Sequence, residues 1–273
     1  MNTPIELLKK FSDIELWIHI HPFAISYLLF DNQQKKVYEV EYQHLNLHFE
    51  DTITIDSISS MFTNTNEVFD LNFKNVKVAF ATNKFTILPT TTNQINTVFQ
   101  NLGIDIEEDD CIETFEISDN KILYFNIDKQ IKNYFEHRFR NVSWYFGDYG
   151  IIHYKNSKLA FQNHLAVNIY GNDLTIAFKK DDELLFFNKF YIEQKEDLLY
   201  YLKLAYEQLN LDANQFATYL YGFVEEKSPM YTYSFSYIRN YEIDRTLKHA
   251  LAYMFTYNEH QLHYFYNLLA LGK

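Results

Sequence analysis

Two histidines, His19 and His21, close the apolar run ELWIHIHPFAISYLLFD and are followed at once by Pro22. Residues two apart on a strand project to one face, so the pair has the spacing to offer two imidazoles to a metal ion. Holding the ion firmly takes three or four ligands, and no spacing in the chain supplies the rest. His44 with His48 and His260 with His263 are similarly isolated pairs, and Cys111 is the lone cysteine, which excludes both an internal disulfide and a thiolate cluster. Packed or edge histidines are therefore the expectation for all three pairs, with no metal and no cofactor.

Carboxylate chemistry fares no better. A nuclease of the ribonuclease-H type holds two metal ions through carboxylates on its first and neighbouring strands, but here the first strand offers only Glu15, far from its end, and no Asp. A His-x-His ending a first strand also resembles the amidohydrolases, which need a barrel of alternating strands and helices. The six glycines are scattered, no two closer than three residues, so neither a Rossmann fingerprint nor a P-loop is present. No residue is assigned a catalytic role.

Bulk properties narrow the partners. The net charge is −12 and only four arginines occur (Arg138, Arg140, Arg239, Arg245), which disfavours nucleic acid, since that affinity comes largely from phosphate neutralisation. The acidic stretch DIEEDD at 105–110 reads as a solvated loop. No apolar run approaches the ~20 residues of a membrane span. The opening MNTPIELLKKF lacks the apolar core of a signal peptide. A cytoplasmic protein is expected.

The elements that would position these residues are legible from periodicity. Ile14, Leu16, Ile18 and Ile20 alternate with Glu15, Trp17, His19 and His21, the period of a strand. AISYLLFD and KVYEVEYQHL continue a three-stranded meander. Ile55, Ile58, Met61 and Phe62 mark a helix, KVAFA and FTILP two strands, and Ile95, Val98, Phe99 and Leu102 a helix capped by threonines 90–92 and stopped by Gly103. CIETFEI and KILYFNI read as strands, and Ile127, Ile131, Tyr134, Phe135 and Phe139 as a helix. From 163 the order begins again: HLAVNIYGNDLTIAFKKDDELLFFNKFYI lies on ELWIHIHPFAISYLLFDNQQKKVYEVEYQ almost without gaps. A helix through Leu198, Leu202, Ala205, Tyr206 and Leu209 follows, then the strand FATYLYGFV, a segment at 229–241 that fits strand or helix with the repeat favouring helix, and a last helix through Leu262, Phe265, Leu268 and Leu269.

Each half thus reads βββαβα with further strand and helix. The expected fold is mixed α/β, a tandem duplication of ribonuclease-H-like units that together make an actin-like ATPase fold, with subdomains at 1–145 and 160–273.

The stretches KFTILP, FFNKFYIEQKEDLLYYLKLAYEQLNLD, LYGFV and YTYSFSYIRNYE resemble a family of uncharacterised bacterial proteins, found mainly in one Gram-negative phylum, whose fold is actin-like. The resemblance implies a fold and no activity. Active members of the wider fold open each half with Asp-x-Gly at the first hairpin, the Asp serving metal-bound water and the Gly letting backbone N–H groups reach phosphate. The matching positions here are His19 and His21 in the first half and Asn168 and Tyr170 in the second. Gly171 and Asp173 fit a remnant of the second hairpin or an ordinary turn, and Gly222 stands alone where a Gly-Gly turn would carry adenosine. The expected function is a non-catalytic scaffold that binds another protein and whose nucleotide motifs are degenerate. The alternative is an ATP-binding ATPase or kinase relative with a divergent phosphate site.

Overall fold

The computed structural model describes residues 13–45, 47, 53–64, 66–69, 71–90, 95–108, 110–153, 163–181, 183–245 and 259–272. The chain divides into two compact units, Met1–Gly147 and Asp148–Lys273.

In the first unit β1 (Ile14–Ile20), β2 (Ala24–Asp31) and β3 (Lys36–His44) form an antiparallel meander. β4 (Asn75–Phe80) and β8 (Val142–Phe146) add in parallel on the other side of β1, giving the order β3-β2-β1-β4-β8. The alternation in β1 sorts two faces. Ile18 lies opposite Tyr27, whose ring meets Phe69 at 5.1 Å between centroids, and Phe69 in turn packs on Phe62 at 4.5 Å. Helices Ile55–Asn64, Asn66–Phe69 and Lys129–Arg138 supply this oily side. Glu15, Trp17 and His19 point the other way.

β5 (Phe85–Pro89), β6 (Asp110–Ser118) and β7 (Lys121–Asp128) form a separate antiparallel sheet, β5-β7-β6. Periodicity identifies these strands but not the sheet they join, because pairing is a non-local choice. The Ile127–Phe139 helix expected from sequence is shorter, Lys129–Arg138. Asp128 caps it, its carboxylate accepting from Gln130 N and Ile131 N, so Ile127 stays on β7. Helix Ile95–Asn101 also belongs to this unit; Thr91 and Thr92, expected to cap it, lie outside the described residues, as does His48.

The second unit has β9 (His164–Tyr170), β10 (Asp173–Lys180), β11 (Glu183–Tyr191), β12 (Ala217–Gly222) and β13 (Tyr241–Ile243) in the order β11-β10-β9-β12-β13. Again an antiparallel meander is extended by parallel strands. Leu165, Val167 and Ile169 of β9, Leu174, Ile176 and Phe178 of β10, and Leu198, Leu202, Ala205 and Tyr206 of helix Lys195–Gln208 form one core cluster. That helix begins where Asp197 accepts the N–H groups of Glu193 and Gln194. The segment from 229 is a helix, Pro229–Phe235, with Ser228 accepting from Tyr231 N and Pro229 in the first turn. In place of one last helix, a 3₁₀ turn, Glu259–Phe265, runs into a short α-helix, Tyr266–Ala270.

Candidate functional site

The two strand ends that sequence comparison set side by side occupy the same topological position. His19 lies opposite Ala79, one residue before the end of β4, and Asn168 lies opposite Tyr221, one residue before the end of β12. Each sits on the middle strand of its sheet.

His19 and His21 are both buried, with ring centroids 6.1 Å apart. His21 belongs to the turn itself: its N–H donates to the Ala24 carbonyl at 3.1 Å, and its Nδ1 accepts from Phe23 N at 3.1 Å. That bond leaves Nδ1 without a lone pair for metal. Glu15 is committed as well. Burial pushes its carboxyl up, but donors from Asn75, Trp17 and Asn32, together with Lys77, outweigh this and hold it below the usual carboxylate range. Among the described residues no three His, Cys, Asp or Glu side chains converge as a metal-binding set.

On β9 the face opposite the core cluster is polar. Asn168, Thr175 and Lys189 lie in register across β9, β10 and β11, and Asp148, just before the helix Tyr149–Ile152, bridges Asn168 and Lys189. Asn168 Nδ2 donates to Asp148 Oδ1 at 3.0 Å, and Lys189 Nζ pairs with Asp148 Oδ2 at 3.3 Å, the two side chains only 7% and 4% exposed. No spacing in the sequence joins residues 148, 168 and 189; the sheet does.

Beside this triad the strand ends are filled with aromatic rings. Tyr170 is buried, its hydroxyl donates to the Tyr264 carbonyl at 2.7 Å, and burial pushes the phenol well above its ordinary range. Its ring meets Phe223 edge-on at 5.2 Å, and Tyr221 meets Tyr266 at 4.0 Å. Gly171, with φ +60, takes the first central position of the two-residue β9–β10 turn, where a type II′ hairpin turn needs positive φ. Asp173 opens β10 opposite Tyr170 and is buried. Gly222 ends β12 at φ +81.

A cavity of about 360 Å³ lies beyond β12 and β13, lined by Val224–Lys227, Ile243, Arg245, His263 and Tyr264. His263 is buried at its edge, and Nε2–H donates to the Val224 carbonyl at 2.8 Å. Burial, reinforced by Arg245, lowers its pKa despite that bond and despite Asp244 and Glu225. The folded value therefore lies below the unfolded one of about 6.5. Below that pH the unfolded chain binds more protons, so stability present above pH ~6.5 is lost as the pH falls. Melting temperatures measured from pH 7.5 to 5 should decline through this window. The decline should be shallower in His263→Gln, which keeps an amide donor for Val224; an unchanged slope would contradict the assignment.

The family model described as "Protein of unknown function (DUF3822)" matches residues 8–241. The chain belongs to this family. No curated protein matches the sequence. Among solved structures, a Bacteroides thetaiotaomicron VPI-5482 protein with actin-like ATPase fold and unknown function superposes with a TM-score of 0.71 at 17% identity, over 87% of this chain and 93% of that one. A PilM–PilN type IV pilus biogenesis complex supplies a second, with a TM-score of 0.62 at 10% identity over 94% and 97%. At these identities the likeness establishes the fold: the DUF3822 chain is an actin-like α/β protein.

Proposed function

We propose that the chain is a non-catalytic actin-like protein that works in the cytoplasm by binding another protein. The observation that carries this reading is the inward commitment of Asn168 and Tyr170, the pair standing where active relatives of the fold carry Asp and Gly. Asn168 is a neutral amide, weaker than a carboxylate for magnesium and already donating to Asp148. Tyr170 places a buried ring, anchored to Tyr264, where a phosphate oxygen would need bare backbone. The carboxylate bonded to Asn168, that of Asp148, is engaged by Lys189. The same reading takes residues 1–145 and 160–273 as duplicated subdomains and leaves out nucleic acid, in keeping with the net charge of −12. A protein partner is supported by the solved neighbour, in which PilM is found complexed with PilN. No helix among the described residues is long and apolar enough to cross a membrane.

Melting the protein with 5 mM ATP and magnesium tests the proposal. A nucleotide at 100 times its dissociation constant would add about 2.7 kcal/mol, a rise of several degrees. The expected result is a shift within error, no phosphate release, and recovery of a stoichiometric protein partner from native extract whether or not ATP is present. A clear ATP-dependent rise with phosphate release would establish the alternative, a divergent ATP-binding relative.

A further inference from the structure

The 360 Å³ cavity of the second unit has a position and a charge pattern of its own. β12 and β13 both run parallel with β9, and the cavity lies where the chain leaves their carboxyl ends, at Val224–Lys227 and at Arg245. In open α/β sheets this edge is where ligands gather, and the volume falls at the lower end of small-molecule sites.

Its walls carry both signs. Glu225 is oriented by the Tyr264 hydroxyl, which donates to Oε1 at 2.9 Å. Glu226 faces Arg245 across a 2.6 Å ion pair that is at least half exposed on both sides, and Lys227 adds a second cation. The His263 ring spends its Nε2–H on the backbone and stays neutral near pH 7, so it leaves two carboxylates and two cations in balance. A polyanion entering here meets Glu225 and Glu226, and a simple cation meets Lys227 and Arg245. A molecule carrying one group of each sign finds a partner for both and displaces only a solvent-exposed ion pair, which is worth little.

We infer that this cavity binds a small zwitterion of the free α-amino acid class, its ammonium at Glu225 and its carboxylate at Arg245. The site is independent of the protein contacts proposed above and gives the molecule a small ligand to respond to.

The test is a melting screen of the full chain against each of the twenty amino acids at 10 mM. Ethylamine, acetate and ATP–magnesium are run beside them, and calorimetry follows on the best binder. At least one amino acid should raise the melting temperature by several degrees while ethylamine and acetate do not. Glu225→Gln and Arg245→Met, both at exposed positions, should each weaken its binding at least tenfold without changing the melting temperature of the free protein. Failure of every amino acid, or binding that survives both substitutions, overturns this inference alone. Stabilisation by ATP that disappears in Arg245→Met would assign the cavity to a nucleotide and overturn both this inference and the proposed function.

Discussion

Lys189→Met should destabilise the chain by about 3–5 kcal/mol, the usual cost of removing one partner from a buried ion pair. Methionine keeps most of the stem's volume, so the loss is electrostatic: Asp148 stays buried beside the amide of Asn168 and loses the Lys189 ammonium. Length does not decide the matter. The Glu226–Arg245 pair is shorter, at 2.6 Å, but its side chains are 50% and 64% exposed, and pairs of that kind contribute about 0–1 kcal/mol. The double variant Asp148→Asn/Lys189→Met removes both charges and should recover much of the loss, because a buried pair replaced by neutral groups is often close to neutral overall. Thermal melting of the two singles and the double gives the coupling directly. Coupling below about 0.5 kcal/mol would show that the pair is not held as described.

That pair also marks where sequence reading stops. The strands were legible because they alternate: in β9 and β10 one set of side chains, Leu165, Val167, Leu174 and Ile176, goes to the core. The other set, Asn168, Thr175 and Asp173, reads as polar interruption. What completes the polar face comes from Asp148, in a stretch that sequence alone left between subdomains, and from Lys189, on a third strand. Three residues spread over some forty positions have no period to betray them; only strand register brings them together. The same limit hid the β5-β7-β6 sheet, whose members were each visible as strands.

Local signals that could have been used were of another kind. Asp128, a helix-capping residue type, stands where β7 gives way to Lys129–Arg138 and would have trimmed the helix read from Ile127 onward. Ser228-Pro229 is likewise a helix start, and it settles the 229–241 segment against the competing alternation of Tyr231, Tyr233, Phe235 and Tyr237. The 3₁₀ turn at Glu259–Phe265 carries no such mark, since apolar residues three apart suit either helix type. The charged walls of the cavity announce themselves only as Glu225-Glu226-Lys227 after a strand, which in sequence is indistinguishable from a solvated loop.

Gly222→Ala should cost roughly 4 kcal/mol, among the largest effects of a single methyl group. Two terms act together. At φ +81 any L side chain is disfavoured, by about 1–2 kcal/mol. In addition, a Cβ built there would lie 2.2 Å from the Ile169 carbonyl oxygen and 2.7 Å from Asn168 Oδ1. The first of these atoms cannot retreat cheaply, because it belongs to the middle strand of the sheet and accepts from Phe223 N at 2.7 Å. Gly103→Ala provides the control: its φ of +69 is similarly left-handed, but nothing lies within 4 Å of a Cβ built there, and about 1–2 kcal/mol is expected. Melting both variants separates the terms, and equal shifts would mean that backbone conformation alone matters and that β9 and β12 do not approach as closely as described. A much larger loss at Gly222 would show that the contact with β9 by itself demands a glycine. Gly222, the residue standing where an adenosine-binding turn would fall, then has a structural reason to be glycine that requires no nucleotide.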